Sequence, residues 1–177
     1  IDPRLWVTTG FILLGASSLA MSGWNLQVND WQVAWTGWLQ GMGAGFVIAG
    51  LLVARAHRSF RFLVFAVANG IGNVLVAVVH GGHDSGWHVG GAALAILGGN
   101  GAAIAGSGLF ASRPYRAASM ALGVLGLVCL AVLAAGPDAG IGAWERGAVY
   151  PIFGWQLLAA VTLLRRQRAV HVVDPGM

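Results

Sequence analysis

From Asn69 to Asn100 the chain reads NGIGNVLVAVVHGGHDSGWHVGGAALAILGGN, two apolar runs joined by a loop that holds three of the five histidines. With the apolar residues that flank it, each run is long enough to cross the roughly 30 Å of hydrocarbon in a bilayer. Lipid offers no hydrogen-bond partner to the amides of Asn69, Asn73 and Asn100, so these side chains must face protein or trapped water. The stretch predicts a transmembrane helical hairpin with a polar inner face.

The composition is that of an integral membrane protein. Of the 177 residues, 57% are hydrophobic and 9% are charged, whereas about 25% of the residues in soluble domains are charged. All ten basic residues are arginines, and the absence of lysine excludes a retinal or pyridoxal Schiff base. The single cysteine, Cys129, excludes an internal disulfide, an iron–sulfur cluster and a C-x-x-C-H haem attachment. The net charge of +4 lies mostly in short loops, which indicates an anionic membrane surface as the partner and not nucleic acid.

Apolar runs separated by loop signals predict a single all-α domain, a bundle of six transmembrane helices. The predicted spans are residues 5–21, 33–54, 62–80, 89–110, 117–135 and 147–164. The first of these spans also has the length of a signal-peptide core, but it lacks a small-residue cleavage site, so we expect it to be retained as a helix.

The loops sort by charge into two sides of the membrane. Nine of the ten arginines fall on one side, namely Arg4, Arg55, Arg58, Arg61, Arg113, Arg116, Arg165, Arg166 and Arg168. Since cytoplasmic loops are enriched in arginine and lysine, this side is predicted to be cytoplasmic. Both termini are then inside, in the cytoplasmic membrane of a prokaryote.

The opposite side carries four of the six acidic residues and an aromatic belt. The acidic residues are Asp30, Asp84, Asp138 and Glu145, and the belt consists of Trp24, Trp31, Trp35, Trp87 and Trp144. Tryptophan prefers the headgroup region of a bilayer, so we interpret the belt as an anchor in preference to a sugar or lipid platform.

Glycine is concentrated inside the spans. The second span repeats it at Gly37, Gly41 and Gly45, and the fourth carries several between residues 98 and 108. Glycine lets helix backbones approach closely in lipid, so these two helices are predicted to lie at the centre of the bundle.

Three motifs after Asn69 resemble a prokaryotic family of six-helix membrane proteins, the nine-nine-eight family of domains of unknown function. They are His88-Val-Gly-Gly-Ala, Gly98-Gly99-Asn100, and Glu145-Arg146-x-x-x-Tyr150-Pro151 with Trp155. The resemblance covers about residues 60–168. It implies a topology and no agreed activity.

The first fifty residues resemble a different family. The motifs are Asp2-Pro3-Arg4, Gly10-Phe11, Trp31-Gln32 and Leu39-Gln40-Gly41-Met42-Gly43-Ala44-Gly45-Phe46. They are similar to two adjacent helices of the fourteen-helix multidrug:proton antiporters of the major facilitator superfamily. Two helices cannot form an alternating-access carrier, so the resemblance implies no transport role here. The domain then divides into an antiporter-like pair over 1–54, a candidate seam over 55–61, and a four-helix remainder with a basic tail over 62–177. A natural fusion, an engineered chimera and a coincidence of apolar sequence all fit the seam.

The amides of the third span are the first candidate site. At 100° per residue, Asn69, Asn73 and His80 lie within roughly 40° of one helix face. Asn100 is predicted to lie at the depth of Asn73, so the two could meet across the hairpin, with Gln40 and Gln156 joining them. No Asp or Glu lies deep in a span, so we favour interhelical hydrogen bonding over a proton or small-molecule path.

The loop between the third and fourth spans is a second candidate. His80, His83, Asp84 and His88 are nitrogen and oxygen ligands that suit Zn²⁺ in type and number. They match no established zinc spacing, and a polar loop is stable without a metal, so we favour no cofactor; axial ligation of a haem is a weaker alternative.

The last span begins with the third candidate, an outer corner made by Glu145, Arg146, Tyr150 and Pro151. A carboxylate, a guanidinium and a phenol at one membrane rim could bind a zwitterionic or phosphate headgroup. Alternatively the Glu–Arg pair caps the helix and the proline, which leaves the Gly147 carbonyl without its helical donor, kinks it.

No nucleophile–base pair, P-loop or dinucleotide fingerprint occurs, so no catalytic residue is assigned. The sequence favours a non-enzymatic module that binds a lipid-like or small apolar ligand, a second copy of itself or another membrane protein from the outer leaflet. The alternatives are a metal-assisted membrane hydrolase that uses the histidine loop, and an accessory protein of a transporter. If the protein is such a binding module, the outer corner and the loop of His83, Asp84 and His88 are expected to line one outward-facing pocket.

Overall fold

The computed structural model of the chain describes residue 51 and residues 59–79, 86–137 and 139–173. The predicted span 5–21 lies outside the described residues, and so does the span 33–54 except for Leu51. Nearly all of the antiporter-like pair and most of the seam are therefore not described. His80, His83 and Asp84 also lie outside the described residues.

The described residues form four long helices and no strand. Helix α1 is Phe60–Val78, α2 is Gly86–Ala105 with a 3-10 turn at Gly106–Gly108, α3 is Arg113–Ala134, and α4 is Ile141–Val173. Three segments are long and apolar enough to cross a membrane, Gly86–Gly108, Arg113–Ala134 and Ile141–Arg166, and Phe60–Val76 is a shorter apolar helix. For the described residues the all-α prediction is therefore confirmed, three of the four helices could cross a membrane, and the last four predicted spans each overlap a helix.

Local signals set most of the helix boundaries. The Oγ atoms of Ser59 and Ser112 accept hydrogen bonds from the backbone N–H groups of Phe62 and Tyr115 at 3.4 and 3.5 Å, which caps α1 and α3. The turn between α3 and α4 contains Gly136 at a φ of 70° and Gly140 at 75°, a conformation that only glycine adopts cheaply. Helix α4 begins six residues before the predicted residue 147.

Helix α2 is the centre of the described bundle. It packs against α1 on one side and against α3 and α4 on the other, and nearly every residue from Ala95 to Ala103 is buried. Within the four described helices, the prediction that the glycine-rich fourth span is central is confirmed. The second span, predicted to be central as well, lies outside the described residues except for Leu51.

Backbone contact joins α1 to α2. A Cβ atom added to Gly72 would lie 2.6 Å from the carbonyl oxygen of Gly91, and one added to Gly98 would lie 2.7 Å from the carbonyl oxygen of Phe65. Neither helix tolerates a side chain at these points, because each meets main chain directly. Glycine here brings the two helices together as it does in other membrane bundles.

Helix α3 is peripheral and has two distinct faces. Tyr115, Ser119, Gly123, Gly126 and Cys129 are buried at spacings of three or four residues, so they form one stripe towards the bundle. Met120, Val124, Leu125 and Val128 are exposed on the other side. In a membrane this second face suits contact with lipid chains.

Successive helices run antiparallel, so arginines that are far apart in the sequence lie at the same end of the bundle. Arg61, Arg113, Arg116, Arg165 and Arg166 are all exposed at the end where α1 and α3 begin, called the arginine end below. Arg146 lies near the beginning of α4, at the opposite end.

Candidate functional site

The amides of α1 form a connected pair. The Nδ2 atom of Asn69, which is buried, donates to the carbonyl oxygen of Ala95 in α2 at 2.6 Å. The Nδ2 atom of Asn73 donates to the carbonyl oxygen and to the Oδ1 atom of Asn69 at 2.9 and 3.0 Å. The predicted common face of Asn69 and Asn73 is confirmed.

Asn100 serves a different interface. Its side chain is fully buried, and its Nδ2 atom donates to the carbonyl oxygens of Ile96 at 3.0 Å and of Ala148 in α4 at 2.9 Å. The prediction that Asn73 and Asn100 pair is wrong. Gly98 is the residue of α2 that faces Asn69, and two residues further along a helix the side chain points about 200° away. Asn100 therefore faces α3 and α4.

Gly126 of α3 completes the surroundings of Asn100. A Cβ atom at this position would lie 2.5 Å from the Asn100 Nδ2 atom and would also collide with Oδ1, so only a hydrogen atom fits. Oδ1 has no conventional hydrogen-bond donor among the described residues, and the Cα–H group of Gly126 points at it, a contact that is common between packed helices. The amide of Asn100 thus touches three helices, and we call Asn100 and Gly126 the amide clamp.

Two further polar residues are buried in the same bundle. The hydroxyl of Ser119 donates to the carbonyl oxygen of Ala103 at 2.6 Å, which ties α3 to α2. Sequence reasoning missed Ser119, although its spacing of four residues from Gly123 marks it as part of the buried stripe. Gln156 is 1% exposed, and its Oε1 atom has no donor among the described residues. Among the described residues no hydrogen bond joins it to Asn69, Asn73 or Asn100, so the predicted cluster with these asparagines is wrong.

The interior carries no charge in the part of the chain that the structure describes. Its buried polar side chains are Asn69, Asn100, Ser119 and Gln156, all of them neutral. Three of the four donate to a carbonyl oxygen of a neighbouring helix. This arrangement favours the structural interpretation of the amides over a path for protons.

His88 lies inside α2, which begins at Gly86, and not in the loop as predicted. Its Nδ1 atom is 2.7 Å from the carbonyl oxygen of Val79 just after α1, so the imidazole links α1 and α2 at the end of the hairpin opposite the arginine end. Among the described residues no three His, Cys, Asp or Glu side chains come together as metal ligands. The other three residues of the zinc hypothesis lie outside the described range, so that hypothesis stays a prediction.

The outer corner lies within the second and third turns of α4. Glu145 and Arg146 are exposed, and Tyr150 is 39% exposed one turn after Arg146. In the described residues no ion pair joins Glu145 to Arg146. The interpretation of this pair as a helix cap is wrong, since the helix starts at Ile141 and the carbonyl oxygen of Gly140 accepts from Ala143 and Trp144.

Pro151 is buried inside α4, where it removes one backbone donor. Gly147, whose carbonyl loses that donor, lies directly against Cys129 of α3, and a Cβ atom there would be 2.7 Å from Sγ. Close packing against α3 fixes the backbone of this turn of α4, which carries the side chains of Arg146 and Tyr150.

Comparison of the chain with protein-family models, with characterised proteins and with solved structures finds no match. The resemblances to the nine-nine-eight family and to the antiporters stay predictions. The function is therefore argued from the geometry alone.

Proposed function

We propose that the chain is a multi-pass protein of a prokaryotic cytoplasmic membrane, with six spans and both termini inside, and that it binds an anionic lipid headgroup at the outer corner. Its bundle acts as a non-enzymatic scaffold. The observation that carries the proposal is the exposed guanidinium of Arg146, which has no carboxylate partner among the described residues and lies one turn before a partly exposed tyrosine.

The packing of the bundle supports a scaffold in preference to an enzyme. Apolar side chains and close glycine contacts fill the described interior, and three of its four buried polar side chains donate to backbone carbonyls of a neighbouring helix. The buried side chains of the described residues include no carboxylate and no histidine, the groups that most often serve in acid–base chemistry, and the hydroxyl of the buried Tyr115 is engaged with the carbonyl oxygen of Gly106. Recognition is then expected at an exposed rim.

The outer corner has the chemistry for a phosphate. A guanidinium presents several N–H donors to phosphate oxygens, and a phenol adds one O–H donor. Arg146 and Tyr150 are four residues apart, so they share one helix face, while Glu145 points about 100° away from Arg146. A phosphate can therefore meet Arg146 and Tyr150 without approaching the carboxylate.

Lipid titration followed by native mass spectrometry tests this proposal on the whole chain. We expect Arg146→Gln to lower the affinity for phosphatidylglycerol about tenfold, the effect of losing one charged hydrogen-bond partner of about 1.4 kcal/mol. Arg146→Lys keeps the charge and should restore part of the binding. Arg61→Gln removes an exposed arginine at the other end of the bundle and serves as the matched control for the outer-leaflet lipid.

Unchanged phosphatidylglycerol binding by a monodisperse Arg146→Gln protein would overturn the proposal. The orientation is tested separately with reporters after Met177 and near Ser85. We expect the first to be cytoplasmic and the second external, and an external carboxyl terminus would contradict the six-span arrangement.

A further inference from the structure

At the arginine end, the guanidinium of Arg166 lies over the ring of Phe110. The Cζ atom is 5.2 Å from the ring centroid, within the range of a cation–π contact. Phe110 belongs to the connection between α2 and α3, whereas Arg166 lies on α4. The contact therefore fixes a charged group at the junction of three helices.

The ring that holds Arg166 is itself held in the core. Phe110 is 4% exposed and meets the ring of Tyr115 edge to face, with centroids 4.6 Å apart. Ala159 of α4 packs in the same cluster, and the hydroxyl of Tyr115 donates to the carbonyl oxygen of Gly106 at 3.1 Å. Neither ring can turn without breaking these contacts, so the position of the guanidinium is set in advance.

The contact with the ring leaves N–H donors of Arg166 available. A ring is not a conventional hydrogen-bond acceptor, and a guanidinium carries five N–H groups. The residue is exposed. A phosphate can thus form two parallel hydrogen bonds with Arg166 while the contact with Phe110 is kept.

The surrounding charge is positive. Arg113 and Arg116 lie one turn apart at the start of α3, and Arg165 precedes Arg166 on α4; all are exposed. Glu145, the one carboxylate in the part of the chain that the structure describes, is at the opposite end of α4. The amino end of α3 adds its positive dipole. Basic surfaces at the end of a transmembrane bundle attract anionic lipids.

We propose that the arginine end binds a lipid with two phosphodiester groups, such as cardiolipin. Arg166, held by Phe110, receives one phosphate, and Arg113 with Arg116 receives the second. Two arginine groups on two helices match a divalent headgroup, whereas a lipid with one phosphate meets only one of them. The site is separate from the outer corner and does not depend on lipid binding there.

The test compares variants that alter either charge or geometry, on the full chain in detergent, with cardiolipin and phosphatidylglycerol titrated in native mass spectrometry. Phe110→Leu keeps every charge and removes the ring under Arg166, and Arg166→Lys keeps the charge and removes the planar guanidinium. We expect each to lower cardiolipin affinity about fivefold.

Arg165→Lys is the matched control on the neighbouring residue, and it should change the affinity less than twofold. Should Phe110→Leu lose monodispersity, Arg166→Lys decides the question alone.

Arg113→Gln with Arg116→Gln should reduce the preference for cardiolipin over phosphatidylglycerol, because the contact with the second phosphate is lost. Inorganic pyrophosphate should compete weakly, since it lacks the acyl chains. Equal losses in Arg165→Lys and Arg166→Lys would show a diffuse charge effect and overturn the proposal. Efficient displacement by pyrophosphate, or an unchanged preference in the Arg113 and Arg116 variant, would overturn it too.

Discussion

The closest contacts on the two sides of α2 differ in kind. Towards α1, Gly72 and Gly98 bring main chain against main chain. Towards α3 and α4, the amide clamp fills the gap with a side chain that donates to α4 and lies against Gly126. A backbone contact cannot be relieved without separating the helices, but a side chain can be exchanged together with its partner. The two interfaces should therefore respond differently to mutation.

The largest effect is expected on the α1 side. Gly98→Ala places a methyl group against the backbone of Asn69 and Phe65, and overpacking of this kind costs about 3 kcal/mol or more. The free energy of unfolding is measured by titration with sodium dodecyl sulfate in mixed micelles. Gly90→Ala is the matched control in the same helix, because nothing lies within 4 Å of its added Cβ. The control should be neutral or stabilising by up to about 1 kcal/mol, since alanine favours helices. Equal stability of the two variants would show that α1 and α2 are not in backbone contact.

The amide clamp is expected to be the next most sensitive. Gly126→Ala must displace the Asn100 amide, at a cost of about 2 kcal/mol. Asn100→Ala removes the bond to Ala148 and the group with which the new methyl collides. The double variant should therefore be more stable than the sum of the two losses predicts, by about 1 kcal/mol. Strict additivity would remove the distinction between the two sides of α2.

Hydropathy and charge predict the positions of the described helices along the sequence well. A helix that crosses a bilayer must be long and apolar, however it packs against its neighbours. The last four predicted spans each overlap a helix, but the start of α4 was placed too late. Its first turns include Trp144, Glu145 and Arg146, which interrupt the apolar run although a helix can continue beyond the hydrocarbon.

Rotation about the helix axis was harder to predict than depth. The similar depth of Asn73 and Asn100 in the membrane predicts that their side chains meet. The close contact between Gly98 and α1 instead turns the side chain of Asn100 away from α1. Nothing local in the sequence identifies which of many glycines faces an amide, so the contact with Gly126 could not be predicted. The outer corner is predicted from its charges, since Arg146 is the one arginine outside the predicted cytoplasmic side.

The loss of stability on replacing an asparagine should depend on whether its side chain joins two helices. Asn69→Leu breaks the bond to Ala95 across the hairpin, and we expect a loss of about 1 kcal/mol, within the range for polar contacts in membrane bundles. Asn73→Leu should cost less, because the Asn73 amide bonds only within α1 among the described residues. A cycle of Asn73→Leu and Asn100→Leu should be additive within about 0.5 kcal/mol, since the two amides do not meet. A coupling energy well above that value would restore the original pairing and contradict the geometry.

The smallest predicted effect is the difference in stability loss between removing a hydroxyl that joins two helices and removing one that bonds within its own helix. Ser119 donates across to Ala103 of α2 at 2.6 Å, while Thr162 donates at 2.7 Å to Leu158 of its own helix. Ser119→Ala should lower the free energy of unfolding by about 0.6 kcal/mol, the average for such bonds in a membrane protein. Thr162→Val keeps the shape of the side chain and breaks a bond that holds no second helix, so its effect should be close to zero. A larger loss in Thr162→Val than in Ser119→Ala would mean that hydroxyls stabilise this bundle through local helix geometry, and the α3 side of α2 would then depend on the amide clamp alone.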